Sequence, residues 1–232
     1  MLPSVVKMAR KDRAPTPPKR PSGPRARSAP RDNDARRRTI LYAAAVAGAF
    51  ALVVVTSLLA SGGGGVSSDP TAALRKAGCT YKVVRAAKAG QHVNNINAKP
   101  AWNTFPPSSG PHYPIPAVWD FYTEPVPLIQ AVHNLEHGGI VIEWGNRVPK
   151  AVIASIKRFY DDSPNAMLAF PLPKLGNKIA LVAWTQKPGE SRGQGRVAEC
   201  TRFDQPAFKA FRDAFRGKGP ERFPVDRLTP GT

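Results

Sequence analysis

Four histidines offer the most chemistry in this chain, and all fall within residues 92–137: His92, His112, His133 and His137. Imidazole is the commonest metal ligand among side chains. His133 and His137 stand four apart in VHNLEHGG, a spacing that puts both rings on one face of a helix. His112 lies in PPSSGPHYP, where flanking prolines restrict the backbone and so aim the ring. His92 lies in GQHV, after the first strand region. Three or four such rings suit zinc or copper. Met167, in MLAF, reads either as a soft ligand for copper or as a core side chain.

The same residues support two other readings. His133, Glu136 and His137 spell H-x-x-E-H, the inverted zincin pattern of a zinc-dependent hydrolase. In it the two imidazoles bind zinc and Glu136 is general base on the bound water. Gly138-Gly139 interrupts the helix straight after the second His, and no third-ligand motif follows, although Glu190 and Glu199 are available downstream. Both features weigh against an enzyme. In the third reading the imidazoles, Asn134 and Glu136 satisfy one another's hydrogen bonds and pin a loop, in a structural or partner-binding domain. No P-loop, dinucleotide fingerprint or nucleophile elbow is present. The glycines of GQGR, 193–196, fall in what reads as a polar loop with no strand before it.

These residues need elements to position them. Residues 98–127 carry eight prolines, from Pro100 to Pro127, which forbids regular helix or central strand there. A long irregular loop is expected, and such loops tend to carry function. Around it the pattern predicts helices at 70–77, 128–137, 149–162 and 206–216, and strands at 80–85, 140–144, 166–170 and 179–185. Phe208, Phe211 and Phe215 recur at helical spacing and read as a core stripe. The whole predicts an α+β domain over 71–232, with a small mixed or antiparallel sheet, packed helices and a long Pro-rich loop.

The rest of the chain has another character. Residues 1–38 hold twelve Lys or Arg and three Asp among Pro and Ser, the composition of a disordered basic tail. Residues 39–60, TILYAAAVAGAFALVVVTSLLA, are uncharged and long enough to span about 30 Å of hydrocarbon. Arg36, Arg37 and Arg38 abut this stretch, and SGGGG follows it. The positive-inside rule then predicts a single-pass anchor with a cytoplasmic N-terminus and the C-terminal domain outside. The stretch exceeds the 7–15 apolar residues usual in a cleaved signal peptide. Residues 61–70 read as a flexible linker. The net charge of +18 fits a partner membrane surface; no recognition motif accompanies it, so nucleic acid is not expected.

Cys79 and Cys200 are the only cysteines. In an extracytoplasmic setting they are expected to pair. Closing a loop of that size contributes on the order of 4 kcal/mol in the chain-entropy model.

Residues 71–216 resemble the bacterial membrane-anchored proteins of domain-of-unknown-function family 3105. AGC at 77–79, QHV at 91–93, PPSSGPHY at 106–113, VHNLEHGGIVI at 132–142, AW at 183–184 and the final Phe-bearing helix carry the resemblance. It implies a basic tail, one membrane helix and an outward-facing domain. It also gives His92, Gly110, His112, His133, Glu136, His137 and Gly138 the status of motif positions, without assigning them a biochemical role.

Overall fold

The computed structural model describes residues 69–232. The predicted tail at 1–38 and span at 39–60 lie outside the described residues, as does most of the predicted linker. Among the described residues no helix is long and apolar enough to cross a membrane.

Among the described residues four α-helices and five strands follow in the order α1 (Thr71–Lys76), β1 (Thr80–Arg85), α2 (Leu128–Glu136), β2 (Ile140–Trp144), α3 (Lys150–Asp162), β3 (Met167–Pro171), β4 (Ile179–Thr185), β5 (Gln194–Cys200) and α4 (Gln205–Phe215). The sheet order is β1-β5-β4-β2-β3. All neighbours are antiparallel except β2 and β3, which run parallel. A parallel pair needs a crossover, and α3 supplies it. The mixed α+β architecture is the predicted one.

Alternation along the strands divides the interior in two. In β4, Ile179, Leu181 and Ala183 join one cluster with Leu74, Ile156, Phe208 and Phe211 from helices α1, α3 and α4. Ala180, Val182 and Trp184 join the other, with Ala131, Val132 and Leu135 of α2 and with Ala117 and Trp119 of the proline-rich segment. The sheet is thus covered on both faces. This explains why β2 and β4 are buried along their whole length and why both are rich in apolar residues, Glu143 excepted. The Phe stripe of α4 is core, as its spacing predicted.

One expectation is corrected, and one open alternative is decided. Residues 194–200 form a strand, not a polar loop. Gln194, Gly195 and Arg196 hide it from an apolar count, yet Gly195 lies under the proline-rich segment, where a Cβ would sit 2.1 Å from Ser108 Oγ. Met167 is fully buried on the helix-covered face with Ile140 and Phe208, across the sheet from the histidines, so it is core and no ligand.

The Cys79–Cys200 disulfide forms and staples the start of β1 to the end of β5. The segment 98–127 contains no α-helix and none of the sheet's strands, but it is held tightly. Asn134 on α2 accepts from Ala117 N at 2.9 Å and donates to Ala117 O at 2.8 Å, the two bonds a neighbouring strand would make. Tyr113 N donates to Ile129 O at 3.0 Å. The loop therefore presents His112 to α2 in a fixed position.

Candidate metal centre

Three chain segments bring the imidazoles together. Residues 91–93 and His112 pair in parallel fashion: Val93 N donates to His112 O at 2.8 Å, and His112 N donates to Gln91 O at 3.0 Å. This sets His92 beside His112, with ring centroids 4.9 Å apart. Helix α2 adds His133, 4.8 Å from the His112 ring and 5.3 Å from the His92 ring. His92, His112, His133 and Glu136 each offer a ligand atom, all within 4.8 Å of one another. His92 is solvent-exposed; the other three are buried.

The tautomers follow from the hydrogen bonds. A backbone carbonyl can only accept. His112 Nδ1 lies 2.8 Å from Gly110 O, and His133 Nδ1 lies 2.7 Å from Tyr113 O. In a neutral ring each Nδ1 must therefore carry the proton, and each Nε2 presents a lone pair. Holding the far nitrogen in this way is how proteins orient metal-binding imidazoles.

Glu136 is the second unusual feature. Its side chain is wholly buried. Oε1 accepts from Gly90 N at 2.6 Å, and Oε2 lies 2.9 Å from His112 Nε2. The contact is buried and joins two polar atoms that make no other hydrogen bond. A carboxylate oxygen facing an imidazole lone pair is stable only with a proton or a cation between them. Burial pulls His112 down, but the Glu136 carboxylate and the Gly110 carbonyl outweigh it and hold the ring above the ordinary histidine value. Burial would likewise raise Glu136; His112 and the Gly90 amide outweigh it and lower it. His133 is shifted down, chiefly by burial.

His137 belongs to a neighbouring group. It caps the C-terminal end of α2, where Gly138 turns the chain at φ +92°. Its Nε2 lies 2.9 Å from Glu221 Oε2, and His133, His137 and Glu221 form a second candidate group. Burial, then the neighbouring His133, pushes His137 down to about 4, so it is neutral near pH 7.

Glu221 arrives through backbone contacts. Gly217 N donates to Gly138 O at 2.8 Å, and Glu221 N donates to Glu136 O at 3.2 Å. This close approach needs glycine: a Cβ at Gly219 would sit 2.3 Å from Gly138 N. No local spacing flags residue 221 in the sequence.

The four predicted histidines thus split. His92, His112 and His133 converge with Glu136, and His133 is also the link to His137 and Glu221. Glu199 is paired with Lys178 at 2.6 Å, while Glu190 is bound to its own turn through Lys187 N and belongs to neither group. Glu136 faces His112 and Gly90, while His137 faces Glu221.

Comparison with curated proteins and with solved structures finds no match to the chain. A family model described as "Protein of unknown function (DUF3105)" matches residues 92–226. The match begins at His92 and takes in both candidate groups, including Glu221, which lies past the segment whose motifs suggested the family. It spans more than half of the chain, and the chain belongs to the DUF3105 family of proteins of unknown function.

Proposed function

We propose that this chain is a membrane-anchored, extracytoplasmic metal-binding protein, in which His92, His112, His133 and Glu136 hold one divalent transition ion. The observation that carries the reading is the convergence of His92, His112, His133 and Glu136, whose ligand atoms all lie within 4.8 Å of one another around the buried 2.9 Å contact between His112 Nε2 and Glu136 Oε2. His133 and His92 complete a ring of donors around it. A tetrahedral zinc site has metal–ligand bonds of about 2.0–2.1 Å, so its ligand atoms lie about 3.3 Å apart. A group already within 4.8 Å closes with side-chain adjustment.

Three imidazoles and a carboxylate suit zinc or copper(II). They do not suit copper(I), which favours soft sulfur, and Met167 faces away across the sheet. The exposed edge at His92 gives an ion a way in. Glu136 fits a ligand better than a general base, since one oxygen is tied to Gly90 N and the other faces His112. This favours binding, for storage, sensing or structure, over hydrolysis. The anchor rests on the uncharged stretch 39–60 and its arginine flank.

The test is elemental analysis and calorimetric titration of the purified chain with zinc and copper(II). One ion per chain is expected. His92→Ala, an exposed position that spares the fold, should weaken binding at least about tenfold, a loss of one ligand. A wild-type chain that retains neither ion after loading would remove the proposal.

A further inference from the structure

A cavity of about 430 Å³ is lined by Arg196 of β5, Lys187 of the β4–β5 turn, and Lys218 and Arg222 after α4. Four cations face it against one carboxylate, Glu190. That carboxylate already accepts from Lys187 N at 3.2 Å within its own turn.

The cations are aimed by neutral groups. Arg196 donates from Nε to Thr185 Oγ1 at 2.9 Å, from Nη1 to Tyr81 Oη at 2.9 Å and from Nη2 to Gln194 Oε1 at 2.5 Å. Its guanidinium lies over the Phe215 ring at 4.3 Å. A guanidinium has five N–H groups, so donors remain after these three bonds. Asp69 feels Arg196 from a separate, adjoining depression. Lys218 Nζ donates to Ala214 O at 2.6 Å and Arg222 Nη2 to Gln186 O at 2.6 Å, both neutral carbonyls. Arg222 also holds a left-handed backbone, φ +53°, which costs an L-residue energy and sends its side chain this way while Glu221 turns to His137.

We propose that this cavity is a binding site for a phosphomonoester. Donors reach it from three separate chain segments, which matches a tetrahedral dianion with several acceptor oxygens better than a flat carboxylate. Arginine provides the fork that phosphate oxygens accept, and lysine the point charge. The volume admits the phosphate and a small organic body. Two sources present this chemistry, a soluble phosphate ester and the headgroup of phosphatidic acid.

The experiment titrates the purified full-length chain at low salt with inorganic phosphate and with glycerol phosphate, glycerol serving as the control. It then measures binding to phosphatidylcholine vesicles with and without phosphatidic acid. Lys218→Ala/Arg222→Ala changes two exposed side chains, and its melting temperature and metal content should match wild type. Glycerol phosphate binding should weaken about tenfold or more in the variant. Binding of the soluble ester alone identifies a soluble ligand; a phosphatidic-acid requirement lost in the variant identifies the headgroup. A wild-type chain that takes neither phosphate, ester nor phosphatidic acid, or a variant that binds them equally well, overturns the proposal.

Discussion

Glu143 tests the physical description of the interior. It lies in the middle of β2, opposite Phe170 on β3 and Ala180 on β4, on the face that carries Val141, Leu168 and Trp184. It is 2% exposed, and its Oε2 has no hydrogen-bond partner. Burial alone raises its carboxyl from 4.5 to about 8. Below pH 4.5 the group is protonated in both folded and unfolded chains. Between 4.5 and about 8 the folded chain binds one proton that the unfolded chain has released. Stability therefore falls as pH rises through that window, by about 1.4 kcal/mol per pH unit, and by about 5 kcal/mol across it. Glu143→Gln keeps the shape and removes the titration. Its amide is still buried without a partner, a roughly constant cost of about 1–3 kcal/mol. Urea unfolding of both chains from pH 5 to pH 8.5, with chelator present and the disulfide intact, gives the comparison. The stability of the variant relative to wild type should climb by about 1.4 kcal/mol for each pH unit up to pH 8. Parallel curves would refute the reasoning, because they would mean that water or an unseen partner solvates the carboxylate.

Two further outcomes follow from the same geometry. Copper(II) should quench tryptophan emission, because the buried Trp184 ring lies 6.3 Å from the His112 ring; the quenching should be stoichiometric, absent with zinc and reduced in Trp184→Phe, Trp102 beside Pro111 accounting for part of what remains. Removing the Cys79–Cys200 bridge by paired Ser substitution should cost about 4–5 kcal/mol in denaturant titration, because the bridge closes 121 residues of chain.

Particular residues decide how much of this was legible in the sequence. Strong periodicity revealed the helices and four strands, and Ile140–Trp144 and Ile179–Thr185 fall where their apolar runs indicate. The fifth strand escaped because its burial depends on glycine and on cover from the proline-rich segment, features with no local hydrophobic signature. The imidazoles were visible as a cluster, but their division into two groups was not. That division depends on which way Glu136 turns at the end of α2, and on Glu221, delivered by backbone bonds across more than eighty residues. Met167 shows the limit of alternation. Period two puts it opposite Leu168, but only the packing reveals which face the histidines share.

Glu221 and Arg222 are joined by a single peptide unit, and their side chains diverge to His137 and to Gln186. The one peptide between them therefore joins the edge of the second candidate group, His133, His137 and Glu221, to the lining of the cationic cavity. Thermodynamic reciprocity requires each guest to alter the other's dissociation constant by an equal factor. Whatever coupling two such guests have would have to pass through this single pair of neighbouring residues, and its absence would leave the two chambers independent.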